Sequence, residues 1–153
     1  MSHASTSKEQ QAAEIFILAA LNKAEGFRLQ SARLTLPSGC SVQLDGFDGD
    51  NKVICEIYAR IGKLKGSQPD KLASDFLKMQ LAEKELGGSF TKIFCFASEE
   101  ASSCVKGSSW LAQAARQLGI KIKTISLPAE LQADIKKAQS RQKMVNSKPP
   151  IAP

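Results

Sequence analysis

Two carboxylates lie where carboxylates are costly. Asp45 follows the apolar residues of Val42-Gln43-Leu44, and Glu56 stands in the middle of Val53-Ile54-Cys55-Glu56-Ile57-Tyr58. An acid inside an apolar strand must be paired, hydrogen-bonded or bound to a metal. A turn of Asp48, Gly49, Asp50 and Asn51 separates the two runs, so the strands are neighbours and their acids can share one site. A loop holding Lys63 and Lys65 follows, and Gln68 then opens a helix that contains Lys71 and Lys78. Each acid also has a plainer reading, Asp45 as a turn residue and Glu56 as half of a structural ion pair. Asp48 and Asp50 read as turn chemistry.

Other chemistries find little support. The only histidine, His3, sits near the N-terminus, which argues against Ser–His and Cys–His nucleophiles. The four cysteines, Cys40, Cys55, Cys95 and Cys104, form no CxxC pair, so they read as buried reduced thiols rather than zinc ligands. There is no glycine-rich phosphate loop or dinucleotide fingerprint. No apolar run approaches the roughly 18–20 residues that span a bilayer, and no signal-peptide pattern is present, so a cytoplasmic location is expected without membrane contact.

Charge is unevenly placed. Up to Glu99, twelve Lys/Arg balance twelve Asp/Glu. From Glu100 onward nine basic residues face three acids, which accounts for the whole net charge of +6. A basic C-terminal half favours a polyanionic partner such as nucleic acid, against the plainer reading of a solubilising surface.

Periodicity supplies the elements that position these residues. A helix is expected from Lys8 to Ala24, with Ser7 and Gln10 as a capping box and Gly26 as its stop. Glu14 sits beside its apolar side and reads as an exposed helix residue. From Phe27 the period becomes two, giving a hairpin around Pro37-Ser38-Gly39 and a third strand over Lys52–Ala59. That strand is apolar on both faces apart from Glu56 and so should be central. A helix opening at Pro69, capped by Ser67 or Gln68, runs to Leu86. A strand over Thr91–Ala97 follows, then a helix broken near Gly107 with Ser108 capping its second piece. An edge strand over Ile120–Leu127 and a basic last helix complete the order. Trp110 reads as core. The expected class is α/β, a mixed central sheet of an antiparallel meander plus parallel strands, flanked by helices. The chain reads as one domain over residues 8–146, with disordered ends at 1–7 and 147–153.

This order, with acids at Asp45 and Glu56, resembles the PD-(D/E)XK nuclease superfamily, the restriction-endonuclease-like fold with its αβββαβ core. Leu44-Asp45-Gly46 matches the family's first acid, and Glu56-Ile57-Tyr58 occupies its E-x-K triplet. Glu14 matches by position a first-helix acid, and Gln68 a glutamine that many members carry. The likeness covers Glu14–Ala97. It departs at the lysine two residues after the second acid, which is Tyr58 here. Lys63, Lys65, Lys71 and Lys78 are candidates to replace that lysine, with Lys65 favoured, and Arg60 can also supply charge.

The resemblance implies a metal-dependent nuclease acting on DNA phosphodiesters. Mg²⁺ or Mn²⁺ would be held by Glu14, Asp45 and Glu56. Asp45, Glu56, Lys65 and Gln68 would be catalytic, and Tyr58, Arg60, Lys63 and Lys71 would contact nucleic acid. The alternative is a non-catalytic nucleic-acid-binding or accessory subunit on the same fold, working as a homodimer or beside a larger partner protein. A third reading is an unrelated α/β protein whose acids are structural.

Overall fold

The computed structural model describes residues 7–147, and the side chains of 145–147 are outside the description. The element order is α1 (Lys8–Glu25), β1 (Gln30–Thr35), β2 (Ser41–Asp48), β3 (Val53–Tyr58), α2 (Gln68–Leu86), β4 (Thr91–Phe96), α3 (Glu99–Ser102), a 3-10 turn (Ser103–Val105), α4 (Trp110–Gln117), β5 (Ile120–Thr124) and α5 (Ala129–Ser147). The five strands form one sheet in sequence order. β1–β2 and β2–β3 are antiparallel, and β3–β4 and β4–β5 are parallel. β3 is therefore central, as its two apolar faces require, and every one of its residues is buried.

Helices cover both faces. Val53, Cys55 and Ile57 of β3 pack with Ala13, Ile17 and Leu21 of α1 and Ile135 of α5. Ile54 and Tyr58 point the other way, into a core with Leu72, Phe76 and Met79 of α2 and Leu111 and Ala115 of α4. Burial at this scale, about 25 cal/mol per Å² of apolar surface, fixes the register of β3, because a slip of one residue would exchange the two cores.

Local signals act as expected at several joints. Ser7 and Gln10 make a reciprocal capping box, and Gly26 ends α1 in a left-handed conformation. Asp48 is turn chemistry. Its carboxylate accepts the backbone N–H groups of Arg28 and Asn51 and the Asn51 side-chain amide, which hold its pKa down at about 2.

Several expectations change. The cap of α4 is Ser109, whose Oγ accepts the Ala112 N–H, rather than Ser108. Trp110 is 69% exposed, because that cap places it at the first, outward position of α4. Cys40 is exposed beside the β1–β2 turn, while Cys55 and Cys95 are buried; all four thiols are free. Strand β5 stops at Thr124, short of Leu127. Ser7 is the N-cap of α1, and Ser147 is the last residue of α5. The remaining residues expected to be disordered, 1–6 and 148–153, lie outside the described residues.

Candidate active site

The two acids meet through strand register. β2 and β3 pair Gly46 with Cys55 and Phe47 with Ile54. The same register, carried one residue further, sets Asp45 against Glu56. Asp45 Oδ2 also accepts the Ile57 N–H at 2.9 Å, so the side chain of one strand closes onto the backbone of the next. Glu56 is 1% exposed and points with Ile54 and Tyr58 toward α2. Burial, and then the Asp45 carboxylate beside it, push its pKa well above the usual carboxylate range.

Helix α2 supplies the cation. Leu72, Phe76 and Met79 recur at i, i+4 and i+7 and anchor one side of the helix in the core. Lys71, Asp75 and Lys78 have the same spacing and form a polar stripe next to it. Lys78 Nζ lies 2.7 Å from Glu56 Oε1 and 3.7 Å from Asp75 Oδ1. Lys71 Nζ lies 4.0 Å from Asp75 Oδ2. Burial works against the charge on Lys78, but the Glu56 and Asp75 carboxylates outweigh it and raise its pKa, so Lys78 stays an ammonium. Asp75 is itself buried, and burial raises its pKa against the pull of Lys71 and Lys78. The Lys78 ammonium is thus the partner of the buried Glu56 Oε1.

Helix α1 brings the third acid. A Cβ on Gly46 would stand 2.8 Å from Leu18 Cδ2 and 3.2 Å from Cys55 Cβ. The glycine therefore lets α1 lie close over β2. One helical turn before Leu18 comes Glu14, on the same side of α1. It lines the cleft with Asp45 and is half-buried rather than exposed. Burial and the Asp45 charge push its pKa up to about 7, against the pull of Lys71.

These groups line a cleft of about 1370 Å³ beside the carboxyl end of β3. Open sheets with parallel strands bind ligands at that end. Asp45, Glu56, Glu14, Asp75 and Glu100 contribute carboxylates; Arg60, Lys63, Lys65, Lys71, Lys78, Lys136 and Lys143 contribute cations. Lys65, the favoured replacement for the missing lysine, is on the exposed loop, and its N–H donates to Gln68 Oε1 at 2.7 Å. Gln68 thus ties down the loop at the start of α2. Lys63 sits on the same loop. Tyr58 is buried against the Phe96 ring, with centroids 5.9 Å apart, and burial raises the pKa of its hydroxyl. Arg60 Nη1 donates to Gln142 of α5 at 2.9 Å.

Asp75 was not singled out from sequence. Its signal is an acid between Leu72, Phe76 and Met79, in step with their helical repeat. Lys78 was one of four candidate lysines, and only its position three residues after Asp75 sets it apart.

No protein-family model, curated protein or solved structure matches the chain. Among the described residues no group of three or more His, Cys, Asp or Glu side chains converges to hold a metal ion. Two do meet at Asp45 and Glu56, and Mg²⁺ commonly takes only one or two carboxylates and keeps several waters. Lys78 Nζ lies 2.7 Å from Glu56 Oε1, so such a cation would share Glu56 with the Lys78 ammonium. The donor set fits Mg²⁺ or Mn²⁺ on those terms.

Proposed function

We propose that this chain is a metal-dependent nuclease acting on DNA phosphodiesters, with Asp45 and Glu56 as the metal-holding acids and Lys78 as the site's cation. The observation that carries this reading is Lys78 Nζ at 2.7 Å from Glu56 Oε1. It supplies from α2 the ammonium that Tyr58 cannot supply from β3. Bound Mg²⁺ or Mn²⁺ would contribute charge neutralisation at phosphorus and an activated water. Lys78 places a fixed positive charge beside the acid pair, where a developing phosphoryl charge needs it. Asp75 holds Lys78 from its other side. Glu14 takes or releases a proton near neutrality beside Asp45. Lys63, Lys65 and Lys71 offer ammonium groups along the cleft to a phosphate backbone, and Gln68 fixes the loop that presents two of them. The free thiols fit the reducing cytoplasm.

The second reading, a non-catalytic nucleic-acid-binding subunit, is favoured by the ion pair itself, since Lys78 already balances Glu56. Calorimetric titration with Mn²⁺ separates the two. The nuclease reading expects saturable uptake that is lost in Glu56→Gln. No uptake by folded wild-type protein would select the binding subunit.

A further inference from the structure

The resemblance ends at Ala97, yet the cleft has a wall beyond it. Helix α5 lines the cleft with Lys136, Gln139, Ser140, Gln142 and Lys143. The helix is docked by Ile135, which is buried against the sheet, and by Arg141, whose guanidinium pairs with Glu9 of α1 at 2.7 Å. It is also locked to the loop after β3. Gln139 Oε1 accepts the Ile61 N–H at 2.8 Å, and Gln139 Nε2 donates to the Ile61 carbonyl at 3.0 Å. With Arg60 on Gln142, this fixes the distance between α5 and the loop that presents Lys63 and Lys65.

The cations of α5 divide by role. Arg141 is neutralised by Glu9. Lys136 and Lys143 are exposed, line the cleft, and have no ion-pair partner among the described residues. They lie seven residues apart, or about 10 Å along the axis at ~1.5 Å per residue. A nucleic-acid strand advances ~3.4 Å per phosphate, so that spacing reaches phosphates about three nucleotides apart.

We propose that α5 is the second wall of the strand-binding groove, with Lys136 and Lys143 gripping the sugar-phosphate backbone opposite Lys63 and Lys65. This rests on the nucleic-acid reading above. It extends the groove to a helix that contributes nothing to the acid pair, so grip and chemistry can be tested apart.

The test is binding of a fluorescein-labelled single-stranded oligodeoxynucleotide, by anisotropy in EDTA, across a salt series. Wild type is compared with Lys136→Gln/Lys143→Gln and with Lys84→Gln, a change at an exposed lysine that is not among the cleft-lining residues. The double variant is expected to lower the slope of log K against log[salt] by about 1.4, at ~0.7 per lost single-strand contact, and to weaken binding roughly tenfold or more. Lys84→Gln should match wild type. A double variant that folds by circular dichroism and keeps the wild-type slope and affinity overturns the α5 grip and leaves the acid site standing. Wild-type protein that binds no DNA at any salt overturns the nucleic-acid reading and the grip with it.

Discussion

Lys78 of α2 reaches Glu56 of β3 at 2.7 Å, so the acid and its cation come from different elements packed face to face. Lysine is a flexible point charge, and one extending from the helix covering a strand can reach the same spot as one on the strand itself. Lys78→Met is expected to lower kcat by ~10²–10³-fold with little change in KM, as for loss of one charge-stabilising donor. It should also destabilise the fold more at pH 8 than at pH 5, because Glu56 and Asp75 then ionise without their counter-charge. Steady-state kinetics and urea unfolding at the two pH values check both halves.

On the nuclease reading, Asp75, 3.7 Å from Lys78 Nζ, acts through Lys78 as a positioning residue. Asp75→Asn removes one of the negative charges that raise the Glu56 pKa, so the acidic limb of the pH–rate profile should move to lower pH. Looser placement of Lys78 should cost roughly tenfold to a hundredfold in kcat. A purely structural role would lower stability and leave the limb in place.

Glu14 gives a stability prediction with a definite sign. Its pKa is about 7 in the fold against 4.5 for an ordinary glutamate. Between those values the folded state keeps a proton that the unfolded chain releases, so stability is lost as pH rises from about 4.5 through 7. Glu14→Gln should remove that loss. The variant should be more stable than wild type at pH 8 by on the order of 1–2 kcal/mol, discounted for partial exposure, and nearly equal to it at pH 4. Denaturant titrations at the two pH values measure the difference.

Gly46 sets how closely α1 lies on β2. Gly46→Ala puts a methyl 2.8 Å from Leu18 Cδ2 and 3.2 Å from Cys55 Cβ. Leu18 can swing aside, but the Cys55 Cβ is fixed by its strand. The expected cost is about 1–3 kcal/mol, read as a lower Tm, and Glu14 should shift with α1.

The strands were legible because their signals are local. Two-residue alternation, the Pro37-Ser38-Gly39 turn and the both-sided apolarity of β3 all act within a few residues, and each matches the structure. Asp45 and Glu56 stood out for the same reason, as acids in apolar runs. The cation was harder to read. Lys63, Lys65, Lys71 and Lys78 are alike in type, and only the packing of α2 on β3 brings one of them to Glu56. Trp110 shows the converse. Apolarity alone put it in the core, but a cap displaced by one residue, from Ser108 to Ser109, turned it outward. The role of α5 at the cleft depends on Gln139 meeting Ile61 across 78 positions of sequence, a contact that no local pattern announces.

The most direct measurement is DNA cleavage by purified wild-type protein with Mg²⁺ or Mn²⁺, set beside Asp45→Asn and Glu56→Gln, with folding of all three checked by circular dichroism. The expected result is metal-dependent cutting by wild type that EDTA abolishes and both variants lack. Folded wild-type protein that cuts no DNA with either metal, or variants that cut as well as wild type, would contradict the assignment of Asp45, Glu56 and Lys78 as a nuclease site.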